Sequence, residues 1–250
     1  MKLIKRELTD YRILLRNIPG LVVALFFVSV IMMNLLANKE FVSLKYLALD
    51  CGFPLSWVSF LCMDVICKRF GPKAAAKISI LAMVVNLCAC LVFWLMSLSP
   101  GMWGEYYATE EQVVNDALNN TIGGAWFVVI GSSIAMVSAA ITNSFVNHTV
   151  AKHLKKDNFR AFAIRSYVST AIGQFVDNFV FATIVSLNFF GWTWTQVFFC
   201  SLTGAVMELL CEVVFSPVGY KVSKDWEKQK VGEQYIEFRA GNRALSGESA

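Results

Sequence analysis

Long apolar runs alternate with short polar connections along most of the chain, and each run is about as long as a membrane-spanning helix. A bilayer core about 30 Å thick is crossed by about 20 apolar residues at a rise of 1.5 Å per residue. The pattern predicts six helices, over residues 19–37, 47–67, 78–98, 121–150, 165–188 and 195–218. It therefore predicts an all-α integral membrane protein with a single membrane domain over residues 1–250, including a cytoplasmic tail at 222–250.

Composition agrees with this assignment. Of the 250 residues, 56% are hydrophobic and 16% are charged, and the mean hydropathy is +0.55. A soluble domain has a smaller apolar share and about 25% charged residues. An integral membrane protein is the class that this composition favours, and we expect a multi-pass protein of the plasma membrane, in a bacterium the inner membrane.

The positive charges predict the orientation of the six helices. Cytoplasmic connections carry an excess of Lys and Arg. With six spans, 20 of the 22 basic residues fall on one side, and only Lys39 and Lys45 fall on the other. We expect both termini to be cytoplasmic. The net charge of +4 then follows from topology, and no nucleic-acid partner is needed to explain it.

Neither the cysteines nor the histidines predict a metal or a cofactor. The seven cysteines lie in predicted helices at spacings that match no zinc site or disulfide framework. His148 and His153 are five residues apart, which does not put both rings on one helix face, and no phosphate-binding GxxxxGK[ST] loop occurs. We expect no cofactor, no metal and no ATP hydrolysis by that type of loop.

The fifth predicted helix carries the clearest functional signal, in the segment RSYVSTAIGQFVDNFVF from Arg165 to Phe181. At 100° per residue, Thr170, Gly173, Asp177 and Phe181 fall in one narrow stripe. A charged side chain at bilayer depth is costly and usually faces a ligand, a partner or a cavity. Asp177 lies about 18 Å along the helix from Arg165, too far to pair with it. Asp177 is therefore the residue that most needs a ligand.

Other polar residues lie within the predicted spans or, for Asn38, next to the outer end of the first one. They are Asn38, Asp64, Glu208 and Glu212. Glu208 and Glu212 are one turn apart and share a helix face. Two interpretations remain open for these acids: they line a ligand site, or they pair near the inner surface, Asp64 with Arg69 or Arg165 and the two glutamates with Lys221 or Lys224. Pro54 predicts a kink in the second helix.

Two further features leave alternatives open. Gly131, Ala135 and Ala139 repeat every four residues in the fourth helix, which permits close helix packing within the bundle or in a homodimer. The connection at 99–120 is acidic and aromatic, which is typical of a solvated extracytoplasmic loop or of a lid over a ligand site.

Several short motifs, in order, resemble the queuosine precursor transporter family, also called the vitamin uptake transporter family. They are Ala37-Asn38-Lys39, Phe53-Pro54-Leu55 with Asp64 and Phe70-Gly71, the set Arg165, Ser169-Thr170, Gln174, Asp177 and Phe181, and finally Pro217 with Tyr220 ending the last helix. The resemblance implies a bundle of six transmembrane helices similar to the substrate-binding components of energy-coupling-factor transporters. It also implies import of 7-cyano-7-deazaguanine or a related deazaguanine base.

A small planar heterocycle of this kind suits the polar residues. A guanine-like edge has adjacent N–H donors for a carboxylate, and its flat face stacks on aromatic rings. We expect Asp177 or Glu208 to supply the carboxylate and Gln174 and Asn178 to read the remaining edge. The other expected members of the site are Thr170, Asp64 and Asn38, with Phe53, Trp57 and Phe181 for stacking. The alternatives are a vitamin-binding subunit of an ATP-driven importer and, with less support from the residues, a membrane enzyme.

Overall fold

The computed structural model describes residues 2–99, 111–153 and 159–246. Helices dominate this part of the chain, and one β-hairpin interrupts them. The helices are α1 (Lys2–Asn17), α2 (Gly20–Leu36), α3 (Phe53–Phe70), α4 (Pro72–Met96), α5 (Glu111–Gly123), α6 (Trp126–His153), α7 (Phe159–Phe181), α8 (Leu187–Phe189), α9 (Trp194–Lys228) and α10 (Glu233–Ser246). The strands are β1 (Glu40–Leu44) and β2 (Leu47–Asp50), and a π-helical turn (Ala182–Ser186) joins α7 to α8.

Several of these helices are long and apolar enough to cross a membrane. In the described residues, four segments qualify by length and composition, at Pro72–Met96, Gln112–Asn143, Val168–Phe189 and Trp194–Lys228. A fifth is added if the bent pair α1 and α2 is counted as one span. Of the predicted six, α2 has only 17 residues, and α3 contains three charged residues. The structure thus supports a multi-pass helical membrane protein, and the six-span count stays a prediction.

The residue contacts divide the chain into two compact units. Unit 1 comprises Met1–Val30, Leu55–Val85 and Glu212–Ala250, and unit 2 comprises Ile31–Pro54 and Asn86–Cys211. In unit 1 the buried apolar side chains come from α1, the linker that follows it, the N-terminal part of α2, α3, α4, the end of α9 and α10. They are Leu14, Ile18, Phe26, Cys62, Val65, Ile66, Phe70, Ala74, Ala75, Ile78, Ala82, Trp226 and Tyr235.

Two residues of the C-terminal tail, Trp226 and Tyr235, belong to the unit 1 core. The last apolar helix does not end at Pro217, because α9 continues through this proline to Lys228. Trp226 and Tyr235 then pack their rings against Phe70 at centroid distances of 6.1 Å. A proline inside a helix removes one backbone hydrogen bond, which packing against neighbouring helices can offset. The apolar residues of the tail thus contribute to folding.

A buried acid, Asp10, joins three helices of unit 1. Its carboxylate accepts a hydrogen bond of 2.6 Å from Lys77 Nζ on α4 and lies 3.6 Å from Arg239 Nη1 on α10. Tyr235 lies close to the same carboxylate, and burial, reinforced by that negative charge, raises the pKa of its hydroxyl. Partly buried ion pairs are screened by salt much less than exposed ones. Asp10 therefore fixes the tail to the helices that precede it in the chain.

Replacing this acid tests the attachment of the tail. We expect Asp10→Asn to increase hydrogen exchange of the backbone amides in α10, because two cations lose their shared partner, at a cost of about 1.5–3 kcal/mol. Glu7→Gln is the matched control, since Glu7 also pairs with Lys77 but its side chain is 58% exposed. Equal protection of α10 in both variants would contradict this role for Asp10.

The β-hairpin replaces the start of the predicted second helix. Strands β1 and β2 pair antiparallel, with Glu40 opposite Asp50 and Leu44 opposite Leu47, and the register shifts between Glu40 and Val42. Helix α3 then begins at Phe53 instead of residue 47, so Pro54 lies in its first turn. A proline there is compatible with a straight helix because the first N–H groups have no helical acceptor. The prediction of a kink at Pro54 is therefore wrong.

In unit 2, α6 and α7 pack against each other through small residues. A Cβ atom at Gly131 would collide with Val185 Cγ2 of the π-helical turn. Farther along the pair, a Cβ at Gly173 would lie 3.2 Å from Asn143 Cβ and 3.6 Å from the Ala139 carbonyl. Close packing of the stripe that contains Gly131 and Ala139 is therefore confirmed within the chain. The homodimer alternative stays a prediction.

Candidate functional site

The predicted polar stripe of α7 lies between two other helices of unit 2. Its Gly173 side faces α6, where Ala139 and Asn143 lie. Asn178, which follows Asp177 of the stripe, faces α9, since a Cβ atom at Gly204 would be 3.5 Å from Asn178 Nδ2. The absence of a side chain at Gly204 allows α9 to approach this amide. The stripe thus faces protein on both sides.

A hydrogen bond between side chains joins α7 to α9 at this point. Asn178 Nδ2 donates to Glu208 Oε2 over 3.2 Å, and Glu208 is 9% exposed. Asp177, the neighbour of Asn178, acts electrostatically on the Glu208 carboxyl. The structure therefore brings together three of the predicted site residues, and Gln174 lies one turn before them on α7. We call Gln174, Asp177, Asn178 and Glu208 the acidic site.

Several polar atoms at the acidic site have no partner in the described part of the chain. Asp177 Oδ1 and Gln174 Oε1 are buried and receive no hydrogen bond there, and the same holds for Ser201 Oγ on α9. Ser201 is three residues before Gly204 and seven before Glu208, so all three share one face of α9. A buried acceptor without a donor costs about 1–3 kcal/mol. These two acceptors and one hydroxyl match the chemistry of a ligand that donates hydrogen bonds.

The hairpin brings a third carboxyl group, Asp50, close to the acidic site. Asp50 acts electrostatically on Glu208, and its Oδ1 accepts a hydrogen bond of 2.7 Å from the Gly52 N–H, which closes an Asx turn before α3. Burial raises the pKa of Asp50, and the backbone N–H groups of Gly52 and Phe53 partly oppose this rise. The two described charges that act on Glu208, those of Asp177 and Asp50, are thus both negative. Repulsion among buried acids is relieved by protons or by donor groups of a ligand.

The hairpin reaches this position by packing along α9. The Tyr46 carbonyl accepts a hydrogen bond of 2.7 Å from Thr203 Oγ1, and the Tyr46 ring lies 5.2 Å from the Phe199 ring. Ala48, two residues further, contacts Cys200 through its backbone. These contacts hold the hairpin against α9.

Four other predicted residues belong to unit 2 but are not part of the acidic site. Thr170 is half-buried on α7, one turn before Gln174. Phe181 packs with the buried residues Ala37, Val128 and Val185. Asn38 Nδ2 donates to the Leu35 carbonyl over 3.0 Å at the end of α2. Phe53, also half-buried, is the first residue of α3. A role of these four residues in ligand binding stays a prediction.

The remaining predicted residues, Asp64 and Trp57, belong to unit 1. The Trp57 ring lies 5.8 Å from the Phe215 ring. Asp64 is half-buried on α3. The positive charge of Lys68 acts on the Asp64 carboxyl and also on that of Glu212.

Two cations of the inner-surface pairs that the sequence left open have other partners in the described residues. Arg69 Nε donates to the Val231 carbonyl over 2.8 Å, and Lys224 pairs with Glu227 at 2.7 Å. The Arg165 side chain, the side chains of His148 and His153, and the part of the predicted lid at residues 100–110 lie outside the described residues.

Sequence reasoning did not assign Asp50 or Ser201 to the site. Asp50 was placed inside the predicted second helix, although the sequence Asp50-Cys51-Gly52 is a turn signal. Ser201 is seven residues before Glu208, a spacing that puts both residues on one helix face, so the sequence did contain a signal for Ser201. In the described residues no group of three or more His, Cys, Asp or Glu side chains could hold a metal ion.

Long apolar helices indicate an integral membrane protein, and the carboxyl groups of Asp177 and Glu208 have no cationic partner among the described residues. Buried carboxyl groups in a multi-pass protein are typical of transporters. The chain belongs to the family described as "Putative vitamin uptake transporter", which matches residues 50–222, more than half of its length. The match includes every residue of the acidic site and Asp50. No curated protein and no solved structure matches the chain.

Proposed function

We propose that this protein imports a queuosine precursor, 7-cyano-7-deazaguanine or a related deazaguanine base, across the bacterial plasma membrane. The observation that carries the proposal is the pair of buried acceptors, Asp177 Oδ1 and Gln174 Oε1, which receive no hydrogen bond from the described residues. A guanine-like edge has a ring N–H beside an amino group, and both donate. A carboxylate accepts such a pair in bidentate geometry.

The acceptor character of the site also discriminates between ligand classes. Ligands with phosphate or carboxylate groups are disfavoured, because Asp50, Asp177 and Glu208 would repel them. A neutral base that donates hydrogen bonds meets no such repulsion. In the proposed complex Asp177 and Gln174 accept from the base, Asn178 positions Glu208, and Thr170, Asn38, Phe53 and Phe181 complete the pocket. A role of Asp64 and Trp57 in binding the base stays a prediction from the sequence.

The proposal includes the topology predicted from the sequence. Six spans, with both termini in the cytoplasm, place the basic connections inside and the hairpin on the outer side. Uptake then proceeds downhill with consumption of the base inside the cell, or it is coupled to protons that the acidic site binds. Neither route requires ATP hydrolysis by this chain.

Uptake in cells is the direct test of the proposal. The host is a bacterial strain that can neither make nor import deazaguanines, and the probe is radiolabelled 7-cyano-7-deazaguanine. We expect accumulation only when this chain is expressed, and competition by unlabelled deazaguanines but not by thiamine or riboflavin. No dependence on the chain would refute the proposed substrate. Accumulation only with a co-expressed ATPase would instead favour the importer-subunit alternative.

A further inference from the structure

Helix α1 has an exposed face that combines apolar and basic side chains. Leu8 is 63% exposed and Leu15 is 36% exposed, and Arg12 and Arg16 are exposed beside them. At 100° per residue these four positions lie within about 100° of one another. They form one face of the helix, which we call the Leu-Arg face.

The opposite side of α1, around Asp10 and Leu14, makes contacts inside unit 1. Leu14 is fully buried, and Asp10 is 7% exposed. Glu7 and Asp10 both pair with Lys77 at 2.6 Å. Neither Arg12 nor Arg16 has an acidic partner among the described residues. Both acids of the helix thus pair with Lys77, and the Leu-Arg face retains an unbalanced positive charge.

The bend between α1 and α2 relates this face to the direction of the adjacent apolar helix. Helices α1 and α2 meet at an angle of 107° around Pro19. Helix α2 is apolar and exposes Leu21, Leu25 and Val28. If α2 lies roughly along the bilayer normal, a bend near 90° puts α1 roughly parallel to the bilayer plane. The excess of basic residues assigns α1 to the cytoplasmic side.

A surface helix of this composition has a defined lipid chemistry. Leucines enter the boundary between headgroups and acyl chains, and arginines extend to the phosphates above them. Guanidinium groups bind phosphate oxygens in bidentate geometry. We infer that α1 is an interfacial helix whose Leu-Arg face binds the headgroups of anionic phospholipids, with Arg12 and Arg16 on the phosphates and Leu8 and Leu15 among the acyl chains. This inference does not depend on the identity of the transported base.

The test measures lipid binding to the purified full-length protein. Native mass spectrometry in detergent counts the adducts formed with phosphatidylglycerol, and in parallel with phosphatidylcholine. We expect binding of phosphatidylglycerol at a lower concentration than phosphatidylcholine. The double variant Arg12→Gln with Arg16→Gln should weaken phosphatidylglycerol binding about 30-fold and leave phosphatidylcholine binding unchanged, as expected for two basic residues near an anionic surface.

The matched control removes two positive charges from a different helix. Lys221→Gln with Lys228→Gln changes exposed residues of α9 and should leave phosphatidylglycerol binding within about threefold of the wild type. Leu8→Gln should weaken it without a change in charge, because the inserted side chain is lost. Equal binding by the wild type and the arginine variant would overturn the inference. So would saturation of the site by soluble glycerol phosphate, since that would indicate a simple anion site.

Discussion

Asp177→Asn is expected to weaken binding of 7-cyano-7-deazaguanine about 10- to 150-fold, the largest effect that we expect from a single isosteric change at the acidic site. The change replaces a carboxylate with an amide that has only one acceptor oxygen. A hydrogen bond to a charged group contributes about 1.5–3 kcal/mol, which corresponds to this range of affinity. Titration of the purified protein with the base, followed by the quenching of tryptophan fluorescence or by calorimetry, gives the two dissociation constants.

The same substitution should stabilise the protein without ligand. Asp177 Oδ1 is buried and receives no hydrogen bond from the described residues, so a carboxylate there is costly in the empty site. A neutral amide removes part of that cost. A gain of about 1 kcal/mol would raise the Tm by about 2–4 °C for a chain of this size. Lower affinity combined with a higher Tm distinguishes a residue kept for binding from one kept for folding.

The control for both measurements is Asp116→Asn. Asp116 is an exposed acid on α5 that accepts a hydrogen bond of 2.7 Å from Gln112, and it lies outside the acidic site. The same change in charge and shape should leave affinity and Tm within error. If Asp177→Asn bound the base as tightly as the wild type, Asp177 would have no place in the binding site, and the proposed recognition of the base would fail.

Gly131→Leu is expected to destabilise the protein by about 1–3 kcal/mol or to prevent its folding. Even a Cβ atom at this position would collide with Val185 Cγ2, and the branched valine side chain has few alternative rotamers. The collision would separate α6 from the π-helical turn that follows α7. The measurements are the midpoint of thermal unfolding and the fraction of monodisperse protein in detergent.

Gly20→Leu provides the comparison. Gly20 begins α2, and no atom lies within 4 Å of the position that its Cβ would occupy. This variant should purify and unfold as the wild type does. If Gly131→Leu also behaved as the wild type, the close approach of α6 to the π-helical turn would be incorrect.

The acidic site could be predicted in part because polar residues at helical spacing are conspicuous in an apolar run. Gln174, Asp177 and Asn178 were assigned from one helix, and Glu208 from another. Their actual partners could not be assigned in this way. The bond from Asn178 to Glu208 depends on the approach of α9 at Gly204, and a pattern within one helix contains no information about its neighbours.

The hairpin shows how a correct hydrophobic pattern leads to a wrong element. Residues 47–50 are apolar except for the final Asp50, and they are continuous with the apolar residues of α3, so a single helix from residue 47 matches the composition. Pairing with β1 and packing against α9 override this local preference. A short apolar run has no periodicity that separates strand from helix. The role of Asp50 near Glu208 depends on that tertiary choice.

The sequence by itself determined that this is a multi-pass helical membrane protein with an unusual carboxyl group on α7, and its motifs matched the correct family. Those properties follow from hydropathy and from spacing along one helix, which are local. Only the tertiary structure decided that Asp50 lies near Glu208, that the Ser201 hydroxyl is buried without a partner in the described residues, that Gly131 meets the π-helical turn, and that Tyr235 of the tail is fully buried in unit 1. Each of these facts depends on the packing of segments that are distant in the sequence, because burial and hydrogen-bond partners are set by neighbours in space.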